Sequence, residues 1–118
     1  MAGPNLIGAT TINGKSSVLA VTTSATAILQ NAAASGKCLK VNLLIISNID
    51  GTNSINVTVD MFRNNTAYRI ASTVAVPANA SFDVFSSRSF YLEEGDSLRL
   101  TAATNSKLEA VCSYEEIV

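Results

Sequence analysis

Apolar residues in this chain recur mostly at every second position, in short runs broken by turn-forming residues, and that period predicts strands. In INVTVDMF, Ile55, Val57, Val59 and Met61 alternate with Asn56, Thr58 and Asp60, which predicts one buried and one solvent face. KCLKVNLLIISN places Leu39, Val41, Leu43 and Ile45 on one face and Lys40, Asn42, Leu44 and Ile46 on the other. Its second face begins polar and ends apolar, as expected of a strand that is covered on both sides towards its end. AYRIASTVAV runs to Pro77, which lacks an N–H donor and so ends the strand or lies on an edge. SFDVF, SFYL, SLRLTA and LEAVCSY complete the set. In phase with these patterns, Val57, Val59, Leu98, Leu100, Leu108 and Ala110 are expected between two packed sheets.

Turn signals divide the strands about every 8 to 12 residues, the spacing of a single antiparallel β-sandwich of jelly-roll-like, all-β class. Asp50-Gly51 between apolar runs predicts a hairpin, and Arg63-Asn64-Asn65 the next turn. In LEEGDSL, Gly95 between Glu94 and Asp96 predicts a tight reversal whose unusual backbone angle glycine supplies. The one helix candidate is SATAILQNAAAS, which has four alanines after Thr26 but no charge pairs.

Charge divides the chain in two. Residues 1–36 carry a single charge, Lys15, and residues 37–118 the other sixteen. The first part reads as short segments, NLIGATTI, SVLAVTT and TAILQN, closed by Ala34-Ser35-Gly36. Such pieces bury too little alone, so residues 1–36 are expected to form an N-terminal extended arm on a β-sandwich domain at 37–118. The arm lies either on its own domain or on a neighbouring chain's sheet.

At 118 residues the chain is long enough for one core. Charged residues are only 14%, well below the roughly 25% of an ordinary domain, so the surface is rich in Ser, Thr, Asn and apolar groups and suits association. A net charge of −1 offers no field to recruit nucleic acid or an acidic membrane surface, and no apolar run is long enough to span a bilayer. The first residues lack the basic start and compact apolar stretch of a secretory signal, which predicts folding in a cytoplasm. The N-x-S/T triplets at Asn56, Asn64 and Asn79 are accordingly read as chance matches.

Candidate chemistry is sparse. Cys38 and Cys112 are read as small buried hydrophobes, bridged only if their strands bring them together. Without any histidine there is no zinc set, no Ser-His-Asp or Cys-His activation and no imidazole base. The carboxylates Glu93, Glu94 and Asp96 are read as a solvated turn, because they offer too few oxygens for calcium and lack a cleft for paired-carboxylate catalysis. Lys15, Lys37 and Lys40 are assigned to surface, and Tyr68, Tyr91 and Tyr114 to cross-strand packing. The expectation is a non-enzyme with no catalytic, cofactor or metal residues.

SNIDGTNSINVTVDMF, VPANASFDVFSSRSFYLEEGDSLRLTA and LEAVCSYEEI, taken in this order over about residues 37–118, resemble small virion structural proteins of tailed bacteriophages, especially those of marine cyanobacteria. The resemblance implies a β-sandwich that builds or decorates a particle, with the virion as its location after assembly in the host cytoplasm. It carries over no binding residues. The leading functional expectation is a capsid decoration or cement protein, homo-oligomeric and seated on the major capsid protein or other virion proteins. The alternative is an adaptor or receptor-binding module of a tail or neck fibre, for which Phe62 and Tyr68 are the aromatics nearest a turn.

Overall fold

In the computed structural model, which describes residues 4–118, the alternating runs become nine strands in two stacked antiparallel sheets. They are β1 (Ile12–Val21), β2 (Thr26–Gln30), β3 (Cys38–Asn48), β4 (Ile55–Arg63) and β5 (Thr66–Val76), then β6 (Ser81–Asp83), β7 (Phe90–Leu92), β8 (Ser97–Ala102) and β9 (Leu108–Ile117). One sheet runs β1-β9-β3-β6, with β7 also on β3; the other runs β2-β8-β4-β5. Nearly every connection crosses from sheet to sheet, and this is the wiring of a jelly roll. The sequence-based fold class therefore holds.

The core fills the space between the sheets. Val57, Val59, Leu98, Leu100, Leu108 and Ala110 all point into it and are buried, as their phase predicts. Each large side chain of this kind contributes about 1.5–3 kcal/mol by leaving water. The phase expected for β3 is corrected halfway along. Val41 pairs Tyr114 but Leu43 pairs Ser113, so Asn42 is an extra residue that bulges the strand. Beyond it the inward positions are Leu44 and Ile46 instead of Leu43 and Ile45.

Two further expectations are corrected, the separate arm and the Asp50-Gly51 hairpin, and the open helix candidate is decided in favour of a strand. The first is the arm over residues 1–36, whose first three residues lie outside those described. β1 pairs β9 in unbroken register from Ile12↔Ile117 to Val21↔Leu108, and β2 pairs β8, so this segment supplies one strand to each sheet of its own chain. The helix candidate is β2 followed by a turn, with a positive φ of 57° at Ala34. Asp50-Gly51 is no hairpin, because β3 and β4 belong to different sheets. There the Asp50 carboxylate accepts from the Thr52 and Asn53 amides at 2.8 and 3.2 Å, which holds its pKa below the ordinary value. The Asn64-Asn65 turn is present as expected, a two-residue link between β4 and β5 with both residues at positive φ.

Two asparagines pin the corners. Asn31 donates to the Lys37 and Leu92 carbonyls at 2.9 and 3.0 Å and accepts from the Ser35 hydroxyl. Asn48 donates to the carbonyls of Asn53 and Val76, both at 2.9 Å, and accepts from the Asp50 amide. Each buried amide thus satisfies backbone groups that the strand ladders leave over.

Candidate functional site: an open sheet edge and an arginine row

The acidic turn is a structural joint, and the reading of it as solvated is corrected. It carries the chain from β7 in one sheet to β8 in the other, with Gly95 at φ 89° as the reversal requires. The Asp96 side chain is only 1% exposed and takes both Nε and Nη2 of Arg63, at 2.7 and 2.6 Å. Glu93 meets the same guanidinium at 2.9 Å, and Glu94 turns inward to accept from the Gly36 amide. These carboxylates raise the Arg63 pKa above its usual value, the hydrogen bonds that Arg63 donates to Asp96 contributing most. Both oxygens of Asp96, and one each of Glu93 and Glu94, already accept from donors of the protein itself.

The cysteines are far apart. Cys38 pairs Ile117 across β3 and β9, whereas Cys112 pairs Leu44, six positions further along β3, and both thiols are free. Burial pushes the Cys112 thiol up to about 11 and raises that of Cys38, with Glu93 adding to the latter. Lys15 and Lys37 converge on Glu116 at 3.2 and 3.3 Å. Tyr114 packs against the core, while Tyr68 and Tyr91 are exposed. Among the described residues no group of His, Cys, Asp or Glu could hold a metal, and no helix is long and apolar enough to cross a membrane.

Two features stand out on the surface. The first is the edge of β1. Edge strands normally carry a device that stops another strand from pairing. Here β6 and β7 are three residues each, β2 has five and a register shift, and β5 is interrupted by shifts around Ile70 and Thr73. β1 has none of these: ten residues, no shift, one charge already engaged by Glu116, and Val18 projecting with 74% of its surface exposed. On the outer face of its sheet Val18 sits beside Val111, which is also exposed.

The second is a row of charge across the outer face of the other sheet. Asp60 of β4 lies opposite Arg99 of β8 on one side and Arg69 of β5 on the other. Although it points away from the core, Asp60 is only 3% exposed, because Arg69 closes over it in an ion pair. Arg99 does not join that pair. Its guanidinium lies 3.5 Å over the Phe62 ring, and its Nε donates to the Ser97 hydroxyl at 3.3 Å. A groove of about 320 Å³ opens above the row, between Ala25, Ala67, Thr58 and Thr101. Sequence reading missed this row because its residues are joined only through strand pairing; the one local sign was a charge, Asp60, on a face otherwise made of Asn56, Thr58 and Phe62.

No protein-family model matches this chain, and no curated protein does. A solved structure described as "Bacillus endospore appendages form a novel family of disulfide-linked pili" is similar, with a TM-score of 0.54 over 100% of this chain and 96% of its own at 13% identity. That likeness shows the fold.

Proposed function

We propose that this protein is a non-catalytic structural subunit that assembles in many copies, and that its setting is a phage virion, as a capsid decoration or cement protein. The observation that supports this reading is the unbroken edge of β1. Its free backbone donors and acceptors form a ready template for one more strand, and a second copy of β1, antiparallel about a two-fold axis, would extend the sheet across two subunits. Two further points agree with it. The similar solved structure is of a protein that forms pili, which is also repetitive assembly, and jelly rolls commonly serve as coat subunits; both are analogies of fold. The pili are disulfide-linked, whereas here the raised thiols of Cys38 and Cys112 disfavour the reactive thiolate, so the proposed contact is strand pairing.

Sedimentation of the wild type and of a Ser16→Lys, Val18→Lys double variant tests this. Both positions are exposed, so the variant keeps its melting temperature while two like charges on the edge abolish association. Association that survives both lysines, or a wild type that is monomeric at every concentration, would sink the proposal. Copy number in purified particles then separates the coat reading, with many copies, from a fibre module, with few.

A further inference from the structure

The arginine row has the construction of a binding site, and it lies on a different sheet from the β1 edge. Two guanidiniums flank β4, roughly 10 Å apart at the backbone because two strand spacings separate them. Each is held from behind: Arg69 by the buried carboxylate of Asp60, Arg99 by the face of Phe62 and by Ser97. Among the described residues no carboxylate pairs with Arg99, so its terminal N–H groups face the groove unneutralised. Arginine held flat in this way is pre-organised to take a planar oxyanion through two parallel hydrogen bonds.

Charge and size narrow the ligand. Two guanidiniums and one carboxylate leave a net charge of +1, which a singly charged anion cancels. A doubly charged phosphate would bring excess negative charge close to buried Asp60. At about 320 Å³ the groove is at the small end of ligand pockets, the size of one sugar ring. Ala25 and Ala67 leave it open, and the hydroxyl of Thr101, with the O–H of Thr58 whose oxygen already accepts from the Thr73 amide, offers hydrogen bonds to sugar hydroxyls. We propose that the groove over Arg99, Asp60 and Arg69 binds an acidic sugar through its carboxylate.

Saturation-transfer NMR, which reads weakly bound small ligands even on a large assembly, tests this with glucuronate, glucose and acetate. Glucuronate is expected to receive saturation with a dissociation constant in the millimolar range, about 4 kcal/mol of binding, and glucose and acetate much less. Arg99→Gln should weaken glucuronate at least about tenfold, Arg99→Lys should weaken it less, and both variants should melt like the wild type. Absence of saturable transfer up to ~50 mM glucuronate would overturn the proposal. So would equal transfer to glucose or acetate, or an Arg99→Gln variant that binds glucuronate as the wild type does.

Discussion

Arg63 and Asp96 meet edge to edge, two guanidinium nitrogens on two carboxylate oxygens, across the joint where the chain passes between the sheets. The Asp96 carboxylate also accepts from the Glu93 amide at 2.8 Å, so the ion pair and the turn stabilise each other. Arg63→Ala is expected to cost about 3 kcal/mol, because it strands a buried carboxylate. Glu93→Ala, at an exposed partner of the same arginine, should cost less than about 1 kcal/mol. Urea denaturation of the two variants checks the ranking, and equal losses would mean that burial of Asp96 is not what matters. Calcium should leave the wild-type melting temperature unchanged.

Deleting residues 2–35 should prevent folding. It removes β1 and β2, and so strips an edge from each sheet and uncovers Leu98, Leu100, Leu108 and Cys112 together. A truncated chain that still melts cooperatively would restore the arm reading.

Asn31→Ala should destabilise by about 2 kcal/mol or more, since it leaves the carbonyls of Lys37 and Leu92 without their donor in a buried corner. Asn31→Asp should fare no better, because a carboxylate cannot donate to them. Thermal melts of both variants decide this; a harmless Asn31→Asp would show that water replaces the lost donor.

Acid should weaken the fold partly through Glu116. The hydrogen bond from Lys15 does most to hold this carboxyl below its ordinary 4.5; burial opposes it, and the weaker hydrogen bond from Lys37 adds to it. A depressed folded-state pKa means that the contribution is fully present above 4.5 and is lost as pH falls through the lower value. In Lys15→Gln the stability difference between pH 7 and pH 3 should shrink, while Asp50, depressed by its own turn amides, still contributes in the same direction. An unchanged pH profile would remove Lys15 as the cause.

Much of the fold was legible where one strand carries its own alternation. Ile55 to Met61 announce both the strand and its buried face, and Asn64-Asn65 announces the hairpin that follows. What stayed hidden depends on partners distant in sequence. β1 reads as a loose arm because the strand that receives it is β9, at the other end of the chain. Leu43 and Leu44 are equally apolar, so nothing local reveals that Asn42 bulges and exchanges their roles. Asp60 and Asp96 look like ordinary surface acids until strand pairing and the crossing turn bring Arg69 and Arg63 onto them.

The place of β9 between β1 and β3 also bears on how the chain is made. Both flanking strands precede it in synthesis, and neither has its central neighbour until β9 has emerged. Until β9 follows, a nascent chain therefore holds β1 with no partner in its sheet and β3 with only the short strands β6 and β7, and closure of the sheet waits for β9. Folding of this kind is governed by distant contacts, and so is slow and open to mispairing between chains that grow side by side. The same strand that would knit finished subunits together is the one most exposed to premature partners, and pairing with β9 is what first confines it to one free side.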